Sequence, residues 1–112
     1  RIFWIGNISE KNTSGNDPRY PLYIAEVDPD TGLLRRASLT VLDDRAPNES
    51  ERLTLSNFLA REDRATGDVL IHLPRIFAQD FRKANEWQNM DWTSDALLLR
   101  VKVGKTTVTP PR

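Results

Sequence analysis

The chain has 112 residues with Lys+Arg 16, Asp+Glu 16, one histidine and no cysteine, for a formal net charge of zero. That balance builds no long-range positive field, so a nucleic-acid partner is not expected. The absence of cysteine excludes a disulfide framework and a thiolate zinc site, and no apolar run approaches the roughly 20 residues of a membrane span.

The length fits one small domain. Residues 1–6 (Arg-Ile-Phe-Trp-Ile-Gly) are apolar and rich in β-formers, and read as a strand. The chain opens inside this run and without Met, which reads as a fragment or processed product of a longer protein. Residues 9–18 carry Ser, Asn, Gly, Asp and Pro and read as a loop. Residues 22–27 form the next strand. Asp28-Pro29-Asp30-Thr31-Gly32 is a turn in which Pro presets one dihedral and Gly supplies a positive φ. Residues 34–42 are expected to be its hairpin partner, with Ala37, Leu39 and Val41 alternating against Ser38, Thr40 and Leu42.

Residues 43–52 are polar, contain Pro47 and read as a loop. Residues 53–59 read as a strand, 62–68 as a second hairpin turn ending in Thr66-Gly67-Asp68, and 69–73 as its partner strand. Pro74 predicts an end to pairing or an edge position. Residues 77–92 have mixed character. Phe77, Phe81 and Ala84 are spaced for a short helix, and a long loop dipping aromatics into a core fits equally well. Residues 96–103 form a last strand, and residues 104–112, with Pro110-Pro111, are an extended tail. About six strands in short-linked hairpins, with no regular crossover helix, make an antiparallel all-β chain. The two turns recur about half a blade apart. Four-stranded units of roughly 40–50 residues are a propeller signature, and this length holds about two blades.

One segment is more specific. Asn16-Asp17-Pro18-Arg19-Tyr20-Pro21-Leu22-Tyr23-Ile24, followed by the Asp28–Gly32 turn, resembles the part of sialidase-type β-propellers that delivers the third arginine of a carboxylate-binding triad. A guanidinium grips a carboxylate with two parallel hydrogen bonds, which lysine cannot do. Leu42-Asp43-Asp44-Arg45-Ala46-Pro47-Asn48-Glu49, Leu55-Ser56-Asn57-Phe58, Glu62 to Asp68 and Ser94-Asp95-Ala96-Leu97-Leu98-Leu99-Arg100 are similar to segments of bacterial BNR-repeat proteins related to exo-sialidases. Phe3-Trp4-Ile5-Gly6-Asn7 is similar to the strand before their arginine loop.

The resemblance covers residues 1–103. It implies the C-terminal part of a six-bladed propeller, about two blades, completed by the remaining blades of a parent chain. It also implies a glycoside hydrolase acting on a glycan, possibly an acidic one, with Arg19 binding its carboxylate. A bacterial protein exported to the periplasm or the cell exterior is expected, with no cofactor and no metal. The Asp28–Gly32 turn takes the place of the family's Asp box, without its Ser and Trp. An EF-hand reading of that turn fails, because its twelfth position is Leu39 rather than Glu.

At the place of the tyrosine nucleophile this chain has Leu55, in Leu55-Ser56. Leucine has no nucleophilic atom, so retaining sialidase chemistry is put in doubt and a non-catalytic carbohydrate-binding or scaffold propeller stands beside the hydrolase. A small stand-alone β domain with a protein-interaction role is a third reading.

Each candidate also has a plain structural reading. Arg19 is either the carboxylate grip or a solvated surface arginine. Asn7 and Asn57 either face sugar hydroxyls or form local turns. Tyr20 either stacks on a sugar or packs in the core; Trp4, Trp87 and Trp92 read as core, with Trp87 and Trp92 the better candidates of the three for a pocket wall. His72, the single histidine, makes neither a metal site nor a triad alone, and Ser56 has no histidine at a recognisable spacing. Of Asp43, Asp44, Glu49, Glu51, Glu62 and Asp63, most lie in turns and read as solvated; glycoside hydrolysis needs two carboxyls about 5–10 Å apart. Asn7, Asn12 and Asn48 each begin an Asn-x-Ser triplet, a pattern common by chance.

Overall fold

The computed structural model describes residues 1–15, 17–77 and 95–104. These contain eight β-strands and no α-helix. Strands β1 (Ile2–Asn7), β2 (Leu22–Val27) and β3 (Thr40–Asp43) form one sheet in that order. Strands β4 (Leu53–Thr54) and β7 (Ile76–Phe77) form a two-stranded sheet, and β5 (Leu59–Glu62), β6 (Val69–Pro74) and β8 (Ala96–Val101) form a third. Every pairing between these strands is antiparallel. The helix-or-loop expectation for Phe81 and Ala84, the Trp87 and Trp92 readings and the tail beyond Gly104 lie outside the described residues.

The two hairpin turns share one construction, Asp-x-x-Thr-Gly. In the first, the Asp28 carbonyl accepts from Gly32 N at 2.8 Å, Asp28 Oδ1 accepts from Asp30 N at 2.8 Å, and Asp28 N donates to Leu33 O. In the second, Asp63 O accepts from Gly67 N at 2.7 Å, Asp63 Oδ1 accepts from Ala65 N at 3.0 Å, and Asp63 N donates to Asp68 O. Gly32 and Gly67 have φ of +71° and +79°. The carboxylate satisfies the turn's own N–H groups, and glycine takes the left-handed position that closes the loop.

β2 is central in its sheet, and Leu22, Ile24 and Ala25 are buried. Leu22, Leu53, Leu55, Ile71 and Leu73 form the core, with Ile5, Tyr20, Leu42, Phe58, Val69, Phe77, Leu97, Leu99 and Val101 packed against it. One core thus ties all three sheets together. Along β6, Ile71 and Leu73 are buried and His72 is exposed, while Leu70, two residues before His72, is buried as well. On β1, Gly6 leaves room for the Trp4 indole, which a Cβ at Gly6 would strike.

Two expected strands are broken. Residues 34–42 are not one strand: Leu34 makes a single bridge to Val27, residues Arg36–Ser38 form a 3-10 turn, and only then does β3 begin. The Ser38 hydroxyl holds this turn, donating to Arg35 O at 2.7 Å and accepting from Glu26 N at 2.8 Å. The turn and a register shift between Leu22 and Tyr23 invert the expected alternation, so Leu42 packs inward while Leu39 and Val41 are exposed. Residues 53–59 also split, into β4 and the start of β5, where Asn57 takes φ 56°. Pro74 closes β6, pairing with Ala96 as its last residue.

Candidate functional site

Arg19 lies between the cis peptide bonds Asp17–Pro18 and Tyr20–Pro21. Prolines on both sides remove two backbone donors, so this turn needs outside partners. They come from two sheets. Arg19 makes a parallel bridge with Thr54, and its carbonyl accepts from Leu55 N at 3.0 Å. The same carbonyl accepts from Asn7 Nδ2 at 3.1 Å, and that amide also reaches Pro21 O at 3.1 Å and Leu55 O at 3.2 Å. Asn7 is the last residue of β1, opposite Leu22. Its side chain therefore stitches the arginine turn to the segment after β4. The Arg19 residue itself is half-buried.

Tyr20 is half-buried against the core, and the Arg45 guanidinium lies 5.5 Å from its ring centroid. Arg45 is held there by Nη1 donating to Glu49 O at 2.7 Å. A cation over an aromatic face gains from the ring's negative quadrupole.

Of the four site candidates, the structure brings Asn7, Arg19 and Tyr20 together. Asn57 does not join them through its side chain. It is exposed, and its left-handed backbone makes it a local turn residue. Leu55 meets the site only through its backbone, since its side chain is 0% exposed in the core. His72 is exposed, beside Arg61, whose Nε lies 3.4 Å from His72 Nε2.

Arg75 carries no sequence signal, yet it is the hub of an ion cluster with Asp43 and Glu49. Its Nε donates to Asp43 Oδ2 at 3.0 Å, Nη1 to Glu49 Oε2, and Nη2 to Glu49 Oε1 at 2.9 Å and to Asp44 O at 3.2 Å. The Arg75 and Glu49 side chains are each 12% exposed. Asp43 and Glu49 are therefore paired and half-buried, not solvated as their turn positions predict. The Arg75 hydrogen bonds hold the Glu49 carboxyl below its ordinary range, with burial opposing and the Ala46 N–H assisting. Glu49 and Asp43 in turn push the Arg75 guanidinium further above its ordinary value, against burial. A carboxylate so neutralised is a structural tie and a poor proton donor at neutral pH. Glu49 links this cluster to Arg45 and so to Tyr20.

Arg100 bridges Asp63 Oδ2 at 3.0 Å and Asp68 Oδ2 at 3.1 Å at the second hairpin turn, and its hydrogen bonds lower both carboxyls. Among the described residues no group of three or more His, Cys, Asp or Glu is placed to hold a metal, and no helix is long and apolar enough to cross a membrane. Compared with known proteins, the chain matches no family model, no curated protein and no solved structure.

Proposed function

We propose that this chain is the C-terminal part, about two blades, of an exported sialidase-like β-propeller that acts on an acidic glycan, with Arg19 gripping the carboxylate. The observation that carries the reading is the anchoring of Arg19. Its turn is held to two separate sheets by Leu55 N, the Thr54 bridge and the Asn7 amide. A bidentate arginine contact needs a fixed backbone, because ordering a loose loop on binding would offset its gain. Tyr20, the next residue, is fixed as well, packed against the core and under the Arg45 guanidinium.

The buried Leu55 side chain favours a second reading, a non-catalytic carbohydrate-binding propeller. A nucleophile must reach the ligand, and this side chain sits in the core with no reactive atom. One experiment tests both. The full-length protein, wild type and Arg19→Ala, is assayed for turnover of fluorogenic sialosides and neutral glycosides, and for binding to sialylated oligosaccharides. Turnover of sialosides that collapses in Arg19→Ala supports the hydrolase. Binding that collapses without turnover in either protein supports the binding module. Equal behaviour of the two proteins in both assays overturns the role given to Arg19.

A further inference from the structure

The structure assigns Asn7 a role other than touching a ligand: we propose that it is the positioning residue for Arg19, its side-chain amide fixing where the arginine leaves the backbone. The proposal rests on the reading of Arg19 as a carboxylate grip.

Three carbonyl oxygens, those of Arg19, Pro21 and Leu55, converge on one atom, Asn7 Nδ2, at 3.1, 3.1 and 3.2 Å. Three acceptors around one nitrogen fix the amide orientation and require a group with donors only at that end. Two N–H bonds serve three oxygens, so at least one is shared. Aspartate at this position would set a carboxylate against three carbonyls. Serine would supply one donor on a shorter stem, and alanine none. The convergence also couples two sheets, because Asn7 ends β1 while Leu55 follows β4, 48 residues further along.

The acceptors define the function. Two of the three belong to the arginine turn, at Arg19 and at Pro21 two residues later. A clamp on both sides of Tyr20 fixes the turn as a body and with it the direction of the Arg19 side chain. With its donors spent on backbone carbonyls, the amide has only the acceptor Oδ1 left, which cannot bind a carboxylate, so the carboxylate contact belongs to Arg19.

The test uses the full-length protein with two probes, N-acetylneuraminic acid and its uncharged methyl ester, measured by calorimetry. In wild type the acid is expected to bind more tightly than the ester, and Arg19→Ala to abolish that preference. Asn7→Asp is expected to lower the acid preference by about tenfold or more while changing ester affinity less than about threefold, and the double variant to bind no worse than Arg19→Ala alone. Loss of ester and acid binding in equal measure, or an Asn7→Asp effect that persists undiminished in the Arg19→Ala background, overturns the positioning role and leaves the Arg19 reading intact. A wild type with no acid preference overturns the Arg19 reading and the proposal with it.

Asn7→Ser, which keeps one donor, is expected to fall between wild type and Asn7→Asp. If neither variant folds, the wild-type Asn7 side-chain amide protons decide by NMR. Slow exchange, unchanged when the acid binds, supports the clamp. Fast exchange in the free protein, or a large shift on binding both acid and ester, overturns it.

Discussion

Replacing Arg75 with alanine removes four hydrogen bonds, three of them to carboxylates. It also leaves Asp43 and Glu49, 20% and 12% exposed, without their shared cation, and at Glu49 only the weaker coulombic help of Arg45 remains. Breaking a fully buried ion pair costs about 3–5 kcal/mol and an exposed one about 0–1 kcal/mol. Arg75 sits nearer the buried end, so Arg75→Ala should lose about 2–3 kcal/mol at neutral pH, and Glu49→Gln about 1–2 kcal/mol, because the amide keeps some hydrogen bonding.

The pH dependence follows from the sign of the Glu49 shift. Its folded carboxyl titrates below the ordinary 4.5, so the unfolded chain binds the proton first as pH falls. The stability it contributes is complete above that ordinary value and disappears as pH drops through the folded one. Equilibrium urea unfolding at about pH 7 and about pH 3 should therefore show a large Arg75→Ala penalty that shrinks in acid. A neutral-pH penalty below about 0.5 kcal/mol, or one equal at both pH values, would make the cluster a mere surface feature and refute the reasoning.

Other substitutions test the rest of the fold. Leu55→Ala should destabilise by about 2–5 kcal/mol in urea unfolding, and Leu55→Tyr by about 1–3 kcal/mol through overpacking, without creating sialidase turnover. Asn57→Ala should cost about 1 kcal/mol while Asn57→Gly stays near wild type, because the position needs φ 56° rather than a side-chain contact. Gly32→Ala and Gly67→Ala should each lower thermal stability by about 1 kcal/mol, the penalty of a Cβ at positive φ. Gly6→Ala should shift the Trp4 fluorescence maximum, since the new methyl displaces the indole.

Local chemistry was the readable part of the sequence. The Asp-x-x-Thr-Gly turns and strands β2 and β6 are set by neighbours a few residues apart, so their residues announce them. The break at Arg36–Ser38 is hidden because Ala37, Leu39 and Val41 keep alternating across it, and the break at Asn57 shows in the sequence only as one polar residue where the alternation from Leu53 and Leu55 calls for an apolar one. What interrupts the strands is a serine hydroxyl bonded to Glu26 and a single left-handed asparagine. The Arg75 cluster was invisible for a different reason. Its partners lie 32 and 26 residues away in the chain, and nothing local marks an arginine after Pro74 as their meeting point. At the candidate site, Arg19 stands out in the sequence only through the resemblance of residues 16–24 to the arginine segment of sialidase-type propellers. The change of role for Asn7, from ligand contact to backbone clasp, needed the three carbonyls in place.

The central claim is that Arg19 grips a carboxylate through a fixed, two-pronged contact. Its most direct test is Arg19→Lys in the full-length protein, with binding to a sialylated oligosaccharide compared with its desialylated form. Lysine keeps the charge and loses the fork. The account predicts that the preference for the sialylated form falls by about 10- to 100-fold while binding of the neutral form is retained. An unchanged preference in Arg19→Lys would contradict it.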